Sequence, residues 1–348
     1  MEQKLMSKKK PTFPINVQLQ KYLQTYNRNT KIPVSYDDLL RFSGSIVVYN
    51  MHDEDTLWVR CYYPDFEREE IDNSLKRVYL ILHSDGRSEH LDFLNVDAID
   101  YCTFGNSKPF RIKIRNVLND NFTYFYVKKA DASRIYGLDF EHILSPNRIN
   151  FLVYKDTLIE EHIAGIPGDV FIKEELPDCD ERAKTEIAKQ FVKFNERCTL
   201  RLLGDMRSYN YVVIPTHDFD HVDYKIRAID FDQQNYEGNL KVYQPHFFKE
   251  NRPMVSLVSE RLADSSIEQY RKEERSQVAK RLITSEKRFR MLIRCMIKDT
   301  VSSQEYVNQL RTELVNYTKD IRFKRCKTMG HILKTALDFV KRNYLEIE

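Results

Sequence analysis

The spacing of apolar residues changes along this chain, and the change limits the folds that the chain can adopt. Up to about residue 165, alternating or short apolar runs dominate, as in SIVVYN at 45–50 and FTYFYVKK at 122–129. After about residue 255, apolar residues recur every three or four positions or at multiples of that spacing, as at Val278, Leu282 and Phe289. Alternation is typical of strands, and the longer spacing is typical of amphipathic helices. The sequence therefore predicts an α+β protein with strands first and helices last.

Most segments predicted before residue 166 are strands. Strand-like runs occupy 45–50, 55–63, two stretches within 76–94 that flank Ser-Asp-Gly, 110–117, 122–129, 149–156 and 157–165. Helices are predicted at 16–26, at 35–42 with Ser35 as the N-cap, and at 133–144. From residue 106 to residue 165 the expected order is therefore strand, strand, helix, strand, strand.

The remaining segments are predicted to be mainly helical, with one pair of strands among them. An amphipathic helix is expected at 180–198, where Asp180 is placed as the N-cap. Two short strands follow, NYVVIP at 210–215 and YKIRAIDF at 224–231. The apolar residues after about residue 255 are assigned to the core faces of helices and are given no ligand role.

Length and charge exclude several classes of protein. A chain of 348 residues is expected to form two or three structural units. A net charge of +3 creates no field that demands nucleic acid or an anionic membrane, so we expect neither as a partner. The basic stretch KRFRMLIR at 287–294 has helical spacing and favours a solvated helix face over a phosphate-binding patch.

The spacing of the cysteines and the first residues of the sequence indicate the cellular compartment of the protein. The six cysteines are scattered without C-x-x-C spacing, which is typical of reduced, mostly buried thiols and argues against a cysteine zinc site. The opening MEQKLMSKKKP lacks the apolar core of a signal peptide, and no apolar run in the sequence is long enough to cross a membrane. We therefore expect a cytoplasmic protein.

Polar residues that suit phosphate chemistry are concentrated at two strand junctions. In LGDMRSYNYVV, Asp205 and Asn210 are five residues apart and come just before an apolar strand. In RAIDFDQQN, Asp230 and Asp232 come at the end of the next apolar strand. Carboxylate and amide oxygens suit Mg²⁺, and a carboxylate can also orient an attacking hydroxyl. Since a hairpin would join the two strands, we predict that Asn210 and Asp230 meet at one site.

This combination resembles the catalytic segment of the kinase-like superfamily, and within it the aminoglycoside and choline phosphotransferases. The shared pattern is Gly-Asp, an Asn five residues after the Asp, and a later Ile-Asp-Phe. The resemblance implies Asp205 as the catalytic base, Asn210 and Asp230 as metal ligands, and Asp232 as a second metal contact. It also implies ATP and Mg²⁺ as cofactors, and Arg207 as a cation that neutralises the transferring phosphoryl group.

The upstream strands extend the resemblance. Lys128 or Lys129, at the end of a predicted strand, matches the lysine that binds nucleotide phosphates, and Lys128 is preferred. Glu141 on the following helix matches the ion-pair partner of that lysine. The implied fold class is α+β, a kinase-like two-lobe fold with an extra β-rich N-terminal module and a helical C-terminal region. The expected domains are 1–105 for the module, 106–165 for the N-lobe and 166–348 for the C-lobe.

Three hypotheses of function follow. The first is ATP- and Mg²⁺-dependent transfer of a phosphoryl group to a hydroxyl acceptor, a small molecule or a protein; nucleotidyl transfer would use the same carboxylates. The second is an inactive pseudokinase that serves as a nucleotide-binding or interaction scaffold, because the sequence has no glycine between Gly105 and Gly137 to form a phosphate-binding loop. The third and weakest is a nucleic-acid-binding surface on the basic helices.

Simpler explanations compete for each residue. Asp205, Asn210 and Asp230 taken singly are turn-forming residues, and only their combination favours a kinase-like site. His217 and His221 are four residues apart and would share a metal on a helix. They lie between two short strands, however, so a polar hairpin is favoured.

Overall fold

The computed structural model describes residues 10–83, 88–105, 107–218 and 222–344. The protein forms two compact units. The sheet unit is built from Lys9–Ala132 and Ile149–His162, and the helical unit contains Ser133–Arg148 and Ile163–Glu348. The chain therefore leaves the sheet unit, contributes one helix to the helical unit, and returns once before leaving again.

Seven antiparallel strands form the sheet of the sheet unit. They are β1 (Gly44–Tyr49), β2 (Asp55–Tyr62), β3 (Leu94–Cys102), β4 (Phe110–Asn116), β5 (Phe122–Lys129), β6 (Phe151–Tyr154) and β7 (Thr157–Glu161). Their order in the sheet is β1-β2-β3-β4-β5-β7-β6. One register row joins Arg60, Asp100, Arg111 and Tyr126 across β2 to β5. Because β3 pairs with β4, the sheet runs across the predicted boundary at residue 105.

One face of this sheet builds the core of the sheet unit. In β4, Phe110, Ile112 and Ile114 are buried, while Arg111 and Lys113 between them are partly exposed. The helices of this unit are α1 (Val17–Thr25), α2 (Tyr36–Leu39), α3 (Asp65–His83) and a 3-10 helix at Ser88–Phe93. The buried face packs with α2, with α3 and with Leu91 of the 3-10 helix. Each buried aliphatic or aromatic side chain contributes about 1.5–3 kcal/mol to folding. The predicted Ser35 N-cap of α2 is confirmed.

Helix α3 corrects the prediction for residues 76–94. Two strand-like runs are predicted there, but the residues up to His83 belong to α3 and the strand β3 begins only at Leu94. Residues 78–82 form one continuous apolar run, VYLIL, which suits a buried strand and a buried helix alike. The buried residues of the whole helix recur at helical spacing, at Ile71, Leu75, Val78 and Leu82. A run as short as residues 78–82 does not show this period. The Ser-Asp-Gly segment at 84–86 lies outside the described residues.

Helices dominate the helical unit. They are α4 (Ala132–Leu144), α5 (Gly168–Val170), α6 (Glu181–Arg201), α7 (Arg252–Arg261), α8 (Asp264–Thr284), α9 (Glu286–Ile297), α10 (Gln304–Thr318) and α11 (Met329–Tyr344). A π-helical turn at Phe171–Glu175 and several 3-10 helices connect them, at Leu176–Asp178, Ser208–Asn210, Leu240–Tyr243, Pro245–Phe247, Lys249–Asn251 and Ile321–Arg325. A second antiparallel sheet has the order β10-β9-β8, formed by β8 (Ile166–Pro167), β9 (Tyr211–His217) and β10 (Val222–Ala228).

Helix α6 is central to the helical unit. Its buried residues include Ile187, Phe191 and Phe194, and it packs against α7, α8 and β10. The Asp180 carboxylate accepts a hydrogen bond from the N–H of Ala183 at 2.7 Å, which satisfies one of the free N–H groups of the first turn. The predicted helix at 180–198, its cap and the helices after residue 255 are therefore confirmed.

The cysteines are thiols without disulfide partners. None of the six forms a disulfide, and four of them, Cys61, Cys198, Cys295 and Cys326, are buried. Burial raises the pKa of Cys198 well above its ordinary value, so this group stays a neutral thiol. The prediction of mostly buried thiols is confirmed.

Across the described ranges, no helix combines the length and apolar character needed to cross a lipid bilayer.

Candidate functional site

A β-hairpin in the helical unit joins the two polar segments that the sequence singles out. β9 and β10 pair antiparallel, with Tyr211 opposite Ala228 at the base of the hairpin. One position further, the carbonyl of Asn210 accepts a hydrogen bond from the N–H of Ile229 at 3.0 Å. Asp230 follows directly in the chain. The predicted hairpin is confirmed, and its base pairs the backbone of Asn210 with Ile229, the residue just before Asp230.

The segment before β9 is held in a defined loop. Helix α6 ends at Leu202 in a left-handed conformation, and Asp205 has a φ of +58°. The N–H of Gly204 donates to the carbonyl of Gln233 at 3.2 Å, and the N–H of Asp205 donates to the carbonyl of Val242 at 3.0 Å. A positive φ is unfavourable for most residues, but Asp and Asn tolerate it. The loop that carries Asp205 is therefore tied to the segment that follows β10.

The side chain of Asn210 closes this loop. Its Nδ2 donates to the carbonyl of Asp205 at 2.7 Å. An amide group donates through nitrogen and accepts through oxygen, so Oδ1 is left with its acceptor capacity. In the part of the chain that the structure describes, Oδ1 accepts no hydrogen bond. The Asn210 oxygen is therefore available to a cation.

Arg207 orients the carboxylate of Asp205 and is itself held by Glu250. Its Oδ1 accepts a hydrogen bond from Nε of Arg207 at 2.8 Å, and Nη1 of Arg207 donates to Glu250 at 2.8 Å. The Arg207 guanidinium also lies 5.0 Å from the centre of the Phe248 ring. Burial lowers the pKa of Arg207, but its hydrogen bond to Asp205 and the negative charge of that residue outweigh the effect, so the pKa is raised. Arg207 remains a cation and fixes the Asp205 carboxylate.

A buried arginine bridges the other two carboxylates. Nη1 of Arg134, on α4, lies 2.7 Å from Oδ1 of Asp230 and 2.8 Å from Oδ1 of Asp232. The Arg134 side chain is 2% exposed, whereas that of Asp230 is 34% exposed. Oδ1 of Asp230 also accepts the N–H of Asp232 at 3.0 Å, so Asp230 forms the strand-end turn that the simpler explanation describes.

Helix α4 approaches this turn closely because it carries small residues there. Oγ of Ser133 donates to the carbonyl of Gln234 at 2.7 Å. A Cβ atom on Gly137 would lie only 3.0 Å from Cβ of Phe231. Sequence reasoning does not select Arg134, which lies far from Asp230 in the chain. The isolated glycine within a predicted helix is the only signal of this close approach.

The predicted metal ligands have suitable chemistry but already contact a cation. Among the described residues, no group of three or more His, Cys, Asp or Glu side chains could hold a metal ion. The oxygens of Asn210, Asp230 and Asp232 are hard donors of the kind that Mg²⁺ takes, usually with water and phosphate oxygens completing its shell. Arg134 contacts both carboxylates in the position where a metal would be expected. The donor set therefore fits Mg²⁺ only in competition with Arg134.

The two residues predicted to form an ion pair each have another partner. In the sheet unit, Nζ of Lys128 lies 2.9 Å from Oε2 of Glu160, and both side chains are buried. Lys129, the less preferred candidate, is exposed. In the helical unit, Glu141 pairs with Arg201, and its Oε1 accepts hydrogen bonds from Ser145 and Asn147. Glu141 therefore links α4 to α6.

Gly168→Ala is expected to lower the free energy of unfolding by about 1–3 kcal/mol, the range for overpacking. A Cβ atom at Gly168 would lie 2.5 Å from the carbonyl oxygen of Ser208 and would overlap the ring of Tyr211. Both residues flank Asn210, so the loop would have to move. Urea unfolding measures the change. Gly44→Ala is the matched control because no atom lies within 4 Å of its Cβ position; equal losses in both variants would contradict the assignment.

The predicted histidine pair falls on the hairpin. His217 is the last residue of β9 and pairs with Val222 of β10. His221 lies outside the described residues. The strand pairing supports the polar hairpin that the sequence favours here.

These residues define an acid and amide cluster at the base of a hairpin, flanked by two guanidinium groups. Such a cluster is suited to bind a divalent cation and to neutralise phosphate oxygens. No protein-family model matches the chain, and no curated protein is significantly similar to it.

Proposed function

We propose that this protein is an ATP- and Mg²⁺-dependent phosphotransferase that acts on a hydroxyl acceptor, either a small molecule or a protein. The observation that carries the proposal is the base of the β9–β10 hairpin, where the backbone of Asn210 pairs with Ile229, next to Asp230 in the chain, and the Asn210 side chain binds the loop of Asp205. Phosphoryl transfer depends mainly on positioning and charge neutralisation, so a few rigidly held groups suffice.

Each residue has a distinct role in this proposal. Asp205, 15% exposed and held by Arg207, orients the acceptor hydroxyl and accepts its proton. The side-chain oxygens of Asn210 and Asp230 hold Mg²⁺, which when bound neutralises the nucleotide phosphates. Arg207 supplies positive charge beside the reacting group, and Asp232 is the second metal contact.

The proposal includes a kinase-like two-lobe fold. Its support is the order of elements along the chain: β4, β5, α4, β6 and β7, then α6, the Asp205 loop and the hairpin. We place the protein in the cytoplasm because none of its six cysteines forms a disulfide. The phosphate-binding role of Lys128 remains a prediction from sequence. Glu141 is excluded from nucleotide binding in this proposal, because three residues already bind its carboxylate.

One observation favours a second candidate, a pseudokinase scaffold. The Arg134 guanidinium already neutralises the carboxylates of Asp230 and Asp232. A cation built into the protein at that position makes a metal unnecessary for stability. If the scaffold serves protein interaction and binds no nucleotide, ATP and Mg²⁺ would have little effect on its stability, whereas a nucleotide-binding scaffold would be stabilised by ATP without hydrolysing it.

Thermal unfolding with Mg²⁺, with ATP and with both tests the proposed function. We expect a clear rise in Tm only with the pair, because a ligand at 100 times its Kd stabilises the native state by about 2.7 kcal/mol. Asp230→Asn is expected to abolish this rise. Asp53→Asn is the matched control, since Asp53 is an exposed turn residue of the sheet unit and should keep the full rise. No response of the wild type at millimolar ATP and Mg²⁺ would favour the scaffold.

A further inference from the structure

A polar cavity in the helical unit is lined by none of the residues to which the proposed function assigns a role. It has a volume of about 480 Å³ and is lined by the end of α4, the segment after it, and the junction of α8 with α9. This volume is within the range of small-molecule sites, which is about 300–1,000 Å³. Its wall carries four guanidinium or ammonium groups, those of Arg148, Lys280, Arg281 and Arg288.

The charged side chains described in the cavity wall are all basic. No Asp or Glu is present among the described residues that line it. Arg288 also pairs with the buried carboxylate of Asp139, behind the wall. Burial lowers the pKa of Arg281 from its ordinary value, and the nearby charge of Arg197 adds to the effect while that of Glu274 opposes it. Asp139 offsets the charge of Arg288, and a bound anion would further reduce the repulsion among the cations of the wall.

We propose that this cavity binds a small molecule that carries two or more phosphate groups. Arginine guanidinium groups bind phosphate oxygens through paired hydrogen bonds, and lysine adds a point charge. One phosphate would engage only part of a wall with four cations, whereas a polyphosphate can contact all of them. Ser285 adds a hydroxyl to the wall, and its side chain makes no capping hydrogen bond to α9. The basic stretch 287–294 thus contributes a cation to a pocket as well as a solvated face.

Calorimetric titration with inorganic tripolyphosphate, without Mg²⁺ and at about 0.15 M salt, tests the proposal. At this ionic strength, screening weakens attraction to scattered surface charges. We expect saturable binding to the wild type. The variant Arg148→Gln/Lys280→Gln/Arg281→Gln is expected to bind at least tenfold more weakly. The control Lys287→Gln/Arg294→Gln/Lys298→Gln removes the same charge from exposed positions of α9 and its end, and should bind like the wild type.

Two further variants separate loss of binding from loss of folding, and binding in this cavity from binding at the proposed catalytic site. Arg148→Gln/Lys280→Gln changes only exposed side chains, so it should fold even if the triple variant does not, and it should also bind more weakly. Asp230→Asn should leave tripolyphosphate binding unchanged, which separates this cavity from the proposed catalytic site. The proposal is overturned if the wild type does not bind, if both triple variants lose affinity equally, or if Asp230→Asn abolishes binding.

Discussion

Asp205→Asn is expected to slow the release of phosphate from ATP by about 10²–10⁴-fold, the usual contribution of a general base. The carboxylate lies in a loop tied to Gln233 and Val242, and Arg207 fixes its orientation. Asparagine has the same shape and tolerates the positive φ at this position, so the loop should persist. Hydrolysis by water in the presence of Mg²⁺ is a suitable assay because the acceptor need not be known.

The control for this variant is Asp53→Asn. Asp53 also has a φ of +58° but lies in an exposed turn between β1 and β2, so the substitution should leave hydrolysis unchanged. Binding of ATP with Mg²⁺ should change little in Asp205→Asn, since the residue acts on the acceptor. Product analysis separates the chemistries, because ADP indicates phosphoryl transfer and pyrophosphate indicates nucleotidyl transfer. Equal hydrolysis by wild type and Asp205→Asn would remove the catalytic role of Asp205.

Arg134→Met is expected to destabilise the protein by about 3 kcal/mol in the absence of Mg²⁺, the lower end of the range for breaking a buried ion pair. The lower end applies because Asp230 is partly exposed to water. The substitution removes the buried cation between Asp230 and Asp232, and these are the oxygens predicted to hold Mg²⁺. The apparent affinity for Mg²⁺ should therefore rise by about tenfold, equivalent to about 1.4 kcal/mol. Urea unfolding at several Mg²⁺ concentrations measures both effects.

Two variants test whether the loss of positive charge at Arg134 causes both the loss of stability and the gain in Mg²⁺ affinity. Arg134→Met/Asp230→Asn/Asp232→Asn should recover much of the lost stability and should not respond to Mg²⁺. Arg60→Met also removes an arginine from a buried carboxylate, but Asp100 keeps Arg111 as its second partner. We expect a loss of about 1 kcal/mol there and no effect on Mg²⁺ binding. If Arg134→Met destabilises the protein and Mg²⁺ has no effect, Arg134 is a structural residue and the metal site loses its support.

Local elements of this protein are largely predictable from its sequence. The strand FTYFYVKK at 122–129 and the Asp180 cap of α6 follow from side-chain alternation and capping chemistry, which act over a few residues. Residues 76–83 are the exception. Their continuous apolar run suits a buried strand as well as a helix, and the buried stripe of α3 shows only over the whole helix.

The candidate site also has residues that can be predicted from the sequence and contacts that cannot. Asp205, Asn210 and Asp230 are recognisable because they flank the two strands of a single hairpin, and the pairing of two adjacent strands is a local event. The ion-pair partners of charged residues cannot be predicted from the sequence. Any basic side chain can pair with any acidic one, and only the fold sets the distances between them. Lys128 pairs with Glu160, and Glu141 pairs with Arg201.

The sequence alone determined the order of strands and helices outside residues 76–83, the hairpin and the residues at its base, since each depends on chain neighbours. The tertiary structure decided that Arg134 contacts Asp230 and Asp232, and that four cations line one cavity. These contacts join positions far apart in the chain. They depend on packing such as that of Gly137 against Phe231, which leaves little trace in the sequence.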